Sequence, residues 1–273
     1  METVRQPAVA GHFYPALPAV LGRGVDILLA QARTATQLRP SAPKALIVPH
    51  AGYVYSGPTA ARGYVLLDPV RAELRRVVLI GPAHHFGFAG LALSSASAFG
   101  TPLGEVTLDH TLDSRLLGLP QVVVADRYHT PEHSLEVQLP FLQRVLTSFA
   151  LLPIVVGDAT PQEVAAVVDA CWGGPETVVA VSSDLSHYLP YDLAEARDRD
   201  TVQRILDLRW PLPDNAACGS RAIDGLLLAG EEHKLRPELV DRRNSGDAAG
   251  DRERVVGYAA VSFTETATRE GQE

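Results

Sequence analysis

The chain of 273 residues carries 24 basic and 32 acidic side chains, a formal charge of −8 at pH 7, and is 46% apolar. That apolar content is enough to bury an extensive core and excludes a disordered, collagenous or coiled-coil architecture, while the negative field and the lack of a basic stripe argue against a nucleic-acid partner. No run approaches the ~18–20 apolar residues of a membrane helix, and the opening stretch from Met1 to Pro7 lacks the apolar core of a signal peptide, so no membrane partner is expected and the cytoplasm is the expected address.

Short β-rich apolar runs alternate with longer segments of helical spacing, which is the signature of an α/β protein. In chain order the pattern predicts a strand at 45–48, a helix at 58–67, a strand at 77–80, a helix at 109–117, a strand at 121–124 and a helix at 134–147. It continues with a strand at 151–156, a helix at 161–172, a strand at 177–181, helices at 193–208 and 221–231, and a last strand at 255–263. In the 134–147 helix, Leu135, Leu139, Leu142 and Leu146 form one apolar stripe, Ser134 is the expected N-cap, and Pro140 predicts a kink because an interior proline loses a backbone donor and crowds the preceding turn. The proline-containing runs 39–43 and 210–213 are too short to be domain linkers. One domain over residues 1–273 is therefore expected, ordered over about 5–263, with a polar, flexible tail over 264–273.

Cys171 and Cys218 are the only cysteines, too sparse for a disulfide framework and without a C-x-x-C pair, in keeping with a reducing compartment. Met1 is the only methionine, so a copper site with an axial methionine has nothing to use. The two lysines, Lys44 and Lys234, lie outside any P-loop string, and G-x-G-x-x-G, G-x-S-x-G and H-E-x-x-H are all absent.

Three predicted strands run directly into histidines, at His50, at the pair His84-His85 and, through Ser182-Ser183-Asp184-Leu185-Ser186, at His187. Ligands of open α/β sheets bind beyond the carboxyl ends of the strands, so these side chains are expected to converge. The 34-residue interval between His50 and His84, about one strand-helix-strand unit, places them on neighbouring strands. His133, just before the kinked helix, is a fourth candidate. Any one of these alone reads as a histidine capping an element; four at element ends, with Asp184 and Glu132 close by, read as one shared site. Cys218 precedes the glycine that opens a predicted helix, where backbone donors favour the metal-ligating thiolate, whereas Cys171 reads as packing. His110 and His233 read as solvated, His85 as supporting the site or facing away, and Tyr53 and Tyr55 as either core or pocket wall.

Six motifs in order carry a resemblance over nearly the whole chain: Pro7-Ala8-Val9-Ala10-Gly11-His12-Phe13-Tyr14-Pro15, Pro49-His50-Ala51-Gly52-Tyr53-Val54-Tyr55-Ser56-Gly57, Gly81-Pro82-Ala83-His84-His85, Glu132-His133-Ser134-Leu135-Glu136, Ser182-Ser183-Asp184-Leu185-Ser186-His187 and Asn244-Ser245-Gly246-Asp247. The chain resembles the Memo family, whose bacterial and archaeal members are called the B component of the AmmeMemoRadiSam system. That family is similar in fold to class III extradiol dioxygenases, in which two histidines and a glutamate hold a non-haem iron(II). The resemblance implies a central, mostly parallel sheet flanked by helices, one divalent transition metal on His50, His84 and Cys218, and His133 and His187 lining the same pocket. Cys218 stands where the dioxygenases carry a carboxylate, and its softer thiolate selects iron(II), copper or zinc over magnesium or calcium.

The expected function is that of a mononuclear iron or copper oxidoreductase acting on a small, phenolic molecule. His187, oriented by Asp184, is expected to be the general base, and His133 to stabilise reduced oxygen or donate a proton. A scaffold binding a peptide or a protein of the AmmeMemoRadiSam pathway is the rival from another class, and zinc-dependent hydrolysis is a third reading.

Overall fold

The computed structural model describes residues 3–36, 42–249 and 251–266. Among them the strands are β1 (Val4–Arg5), β2 (Ala45–Val48), β3 (Arg76–Pro82), β4 (Leu91–Leu93), β5 (Ala98–Thr101), β6 (Gly104–Thr107), β7 (Val122–Val124), β8 (Ala150–Val156), β9 (Thr177–Ser182), β10 (His187–Leu189), β11 (Leu235–Asn244) and β12 (Val255–Glu265). The helices are α1 (Pro18–Ala35), α2 (Tyr53–Tyr64), α3 (Asp113–Leu116), α4 (Asp126–His129), α5 (Leu139–Val145), α6 (Pro161–Ala170), α7 (Tyr191–Leu206), α8 (Ser220–Glu232) and α9 (Gly246–Ala249). No helix among the described residues is long and apolar enough to cross a membrane.

The large sheet runs in the order β10-β12-β2-β9-β3-β8-β4-β7, with β11 paired to β12, while β1, β5 and β6 form a small second sheet. Its centre is parallel, β2 on β9, β9 on β3 and β3 on β8. Antiparallel pairing is confined to the flanks, at β12 with its neighbours and at β4 against β8. The central strands are apolar throughout because helices cover both faces. Along β2, Ala45 and Ile47 join the core beneath α6 and α8, while Leu46 and Val48 join the core beneath α1, α2 and α5. The expected α/β fold with a mostly parallel centre is what forms.

Several local expectations are corrected. His50 and His84 do not follow neighbouring strands, because β9 inserts between β2 and β3; that pairing is set by contacts more than a hundred residues apart, which a 34-residue interval does not report. The 134–147 helix breaks into a 3₁₀ turn over Glu136–Gln138 followed by α5, so Pro140 sits in a first turn, where a missing N–H costs nothing, and produces no kink. The leucine stripe itself is buried, from Leu135 at 1% exposed to Leu146 at 6%. The 109–117 helix shrinks to α3, because Asp109 draws Thr111 and Arg76 onto its carboxylate and His110 bonds Asp113 and the Ala96 carbonyl instead. Helix α1 was not expected: Gly22 and Gly24 dilute its pattern and no side chain caps it, yet Leu21, Val25, Leu29 and Ala32 fall on one buried face. The run 39–43 lies mostly outside the described residues, as do residues 267–273 of the expected tail, and β12 continues past its predicted end to Glu265.

Gly257 on β12 fixes the loop that carries Asp184 and His187, because its N–H donates to the Ser186 carbonyl and its carbonyl accepts from Leu185, each at 2.8 Å. A methyl group here would collide with the Asp198 carboxylate, whose other oxygen accepts from the Ser186 N–H at 3.0 Å. Gly257→Ala is expected to destabilise the fold by about 1–3 kcal/mol, the usual scale of overpacking. A urea midpoint equal to that of the parent would show that Asp198 swings aside without cost.

Candidate metal centre

The carboxyl ends of β2, β3 and β9 open onto one site. His50 follows β2 and is 2% exposed. Its Nδ1 lies 2.8 Å from Ser182 Oγ at the end of β9. That hydroxyl already donates to the Ser134 carbonyl and accepts from Gln138 Nε2. With its single proton committed, Ser182 can only accept from His50, so Nδ1 of His50 carries the hydrogen and Nε2 keeps its lone pair. His84 is fixed in the same sense. Its Nδ1 lies 2.8 Å from Glu132 Oε1 and its backbone N–H donates to Glu132 Oε2 at 2.6 Å. Burial raises the Glu132 carboxyl, but the hydrogen bond and charge of His84 and the backbone donors outweigh it, leaving it well below the usual carboxylate range. A carboxylate behind one imidazole and a hydroxyl behind the other are the outer contacts that orient metal-ligating histidines.

His133 completes a cluster in which one ligand atom from each of His50, His84 and His133 lies within 4.8 Å of the others. Its ring stacks on His84 at 4.5 Å and leans on Phe13 at 4.7 Å. Burial, with the neighbouring imidazoles, holds His50 well below the ordinary histidine range, and burial brings His133 down to about 4. Both are therefore neutral at pH 7, the form in which imidazole binds a metal. Converging nitrogen donors with orienting partners fit a divalent transition metal and suit magnesium or calcium poorly.

Cys218, just ahead of α8, places Sγ 3.3 Å from His50 Nε2 and the same distance from the Asp184 N–H. Nitrogen and sulfur ligands of one tetrahedral ion, bound at about 2.0–2.3 Å, stand roughly 3.5 Å apart, so this spacing suits an ion shared with His50, although the group of ligand atoms lying within 4.8 Å of one another comprises His50, His84 and His133 and not Cys218. The expectation that the helix start alone favours thiolate fails. Burial and the charge of Asp184 outweigh the backbone donors of Asp184 and Gly219 and push the thiol up to about 12, so a cation would have to displace the proton.

Asp184 and His187 are both at the site, in roles that differ from those expected. Asp184 accepts the His50 N–H at 2.8 Å, and burial, opposed by the His50 and Ala51 backbone donors, raises it to about 7. It does not orient His187, whose Nδ1 instead lies 2.8 Å from the Leu185 carbonyl; the tight turn brings that nearer acceptor into reach first. Donation to the carbonyl leaves Nε2 of His187 as a free base, and burial lowers its affinity for a proton.

His50, His84, His133, Asp184 and His187 line one cavity of about 620 Å³ walled by Phe13, Tyr55, Tyr188 and Tyr258. Tyr55 is thereby pocket wall, while Tyr53 is core, its hydroxyl donating to the Val137 carbonyl. Cys218 instead borders a separate hollow of about 160 Å³. Of the remaining histidines, His233 stacks on Trp172 at 3.7 Å and bonds Asp169, and His85 sits exposed at the edge, 6.1 Å from His133. Cys171 is buried packing.

Ser182 and Gln138 were not singled out from sequence as orienting groups, because nothing local marks partners 44 residues apart. Residues 5–262 match the family described as Memo-like protein. The chain belongs to the Memo-like family. Proteins named MEMO1 family protein are similar along nearly their whole length: that of Methanococcoides burtonii is 37% identical over 94% of this chain and 99% of its own, that of Aquifex aeolicus 36% over 95% and 99%, and that of Sulfolobus acidocaldarius 32% over 95% and 99%. The histidine cluster and the cavity beside it are thus features of a Memo-like chain.

Proposed function

We propose that this Memo-like protein is a metal-dependent oxidoreductase of the dioxygenase type, with one iron(II) or copper ion held by His50, His84 and Cys218 and a small phenolic substrate in the adjoining cavity. The observation that supports it most is the pair of histidines, each oriented by a hydrogen bond at Nδ1, that line a cavity with aromatic walls. The ion, when bound, supplies redox chemistry toward dioxygen and a Lewis acid for the substrate hydroxyl. Around it, Asp184 fixes the His50 backbone and Glu132 the His84 ring. His187, neutral and with Nε2 free, takes the proton of the substrate hydroxyl. His133, also neutral, lies beside the ligand pair as a hydrogen-bonding partner for the polar end of the substrate.

The test is His187→Ala. Metal content measured on anaerobically prepared protein should stay near that of the parent, while oxygen uptake with catechols should fall by about a hundredfold or more, the scale of a lost general base. Loss of metal together with activity would make His187 a ligand. Oxygen uptake no higher than the metal-free background in the parent protein would overturn the enzymatic reading in favour of a peptide-binding or hydrolytic one.

A further inference from the structure

The mouth of the cavity carries a feature that metal chemistry does not need. Tyr188 has φ +57°, in the left-handed region that bulky L side chains rarely adopt. It lies at an irregularity in the pairing of β10 with β12, where His187 faces Val256 and Leu189 faces Val255, so one strand carries an extra residue. Bulges of this kind re-aim a side chain, and strain of this kind persists where the surroundings hold it for a purpose. Here the result is a tyrosine 62% exposed, turned to the cavity mouth and set edge-on to His187 at 5.7 Å.

Arg254, the residue before β12, sets its guanidinium carbon 5.1 Å from the centre of the Tyr188 ring and lines the same cavity. Among the described residues no carboxylate lies within ion-pairing distance of it, whereas Arg242 and Arg243 on β11 are paired with Glu195 and Asp241. Asp251, three residues before it and lining the same cavity, accepts from the Glu253 N–H. A guanidinium anchored beside an aromatic ring presents a fork of N–H donors, and the planar partner of that fork is a carboxylate. Arg254 shares the cavity lining with Asp184 and Asp251 but is ion-paired with neither, which leaves its guanidinium open to an anionic ligand.

We propose that Arg254 and Tyr188 form a recognition element selecting aromatic substrates that carry a carboxylate. The ring lies between Phe13, Tyr55 and Tyr258, its hydroxyl end directed to the histidines and its carboxylate to the Arg254 fork. The substrate class rests on the reading of the cavity as a small-molecule site, and not on turnover.

The experiment is a calorimetric titration of the full chain with 3,4-dihydroxybenzoate and 3,4-dihydroxybenzamide, which share the catechol and differ in charge, at equal measured metal content. The parent should bind the benzoate about tenfold or more tightly than the benzamide, the scale of one charge-assisted pair. In Arg254→Gln the ratio should fall to near one, chiefly through lost benzoate affinity, and Arg254→Lys, a point charge without the fork, should restore part of it. Tyr188→Gly should raise the thermal midpoint, since glycine accepts the left-handed conformation, and still lower the ratio. A ratio near one in the parent, a ratio unchanged in Arg254→Gln, or binding of neither probe overturns the proposal. Failure of the metal reading is read separately, as ion content insensitive to His50 and His84 with the benzoate preference intact.

Discussion

Alanine at His50 or at His84 is expected to lower metal affinity by at least about a hundredfold, measured as ion content after anaerobic preparation and by competition with a chelator. Changing an outer partner of a ligand typically costs 10–100-fold, and deleting the ligand costs no less than the upper end. The two imidazoles are preset for this role, because Ser182 and Glu132 each bond Nδ1 and leave Nε2 as the donor atom. The third donor is settled by a pair of variants. Cys218→Ala should lose the ion as the histidine variants do, since Sγ stands 3.3 Å from His50 Nε2. His133→Ala should retain it, its ring being held by stacking on His84 and Phe13 rather than by a carboxylate at short range. The opposite result, retention in Cys218→Ala and loss in His133→Ala, would place the ion on the three-histidine cluster. Ion content unaffected by either His50→Ala or His84→Ala would remove the metal from this site altogether.

What could be read from the chain alone was what local chemistry marks. The central strands were visible because covering both faces makes them continuously apolar, and β2 fell on its predicted residues. The site histidines were visible because they interrupt such runs at the strand ends. What stayed hidden depends on partners distant in sequence. The insertion of β9 between β2 and β3, the acceptor that orients His187 and the hydroxyl behind His50 are each decided by tertiary contacts with no local trace. The thiol of Cys218 shows the limit: its place ahead of a helix is legible in the chain, but the enclosure of its sulfur, which decides its proton affinity, is a property of the whole fold.

The largest expected effect on stability lies beneath the site. Glu136, fully buried, accepts from Arg5 Nη1, from the Tyr14 hydroxyl and from the backbone N–H groups of Ala8 and Val9. Arg5, itself only 8% exposed, also donates to the carbonyls of His129, Thr130 and Glu132. The pair therefore ties the amino-terminal segment to the loop whose Glu132 carboxylate holds His84. Burial, reinforced by Glu136, pushes the Tyr14 hydroxyl far above its ordinary range, so it remains a donor throughout. Glu136→Gln keeps the shape but leaves the Arg5 charge buried without its counterion, and a buried pair broken on one side costs about 3–5 kcal/mol. Against the 5–15 kcal/mol that holds a typical domain folded, the variant should show a large drop in its denaturant midpoint. Arg5→Met should be destabilising as well. Because the second loss no longer strands a charge, the double variant should fall short of the sum of the singles by more than the ~0.5 kcal/mol seen for independent sites. Strict additivity would mean that water already screens the pair and that Arg5 acts through its carbonyl contacts alone.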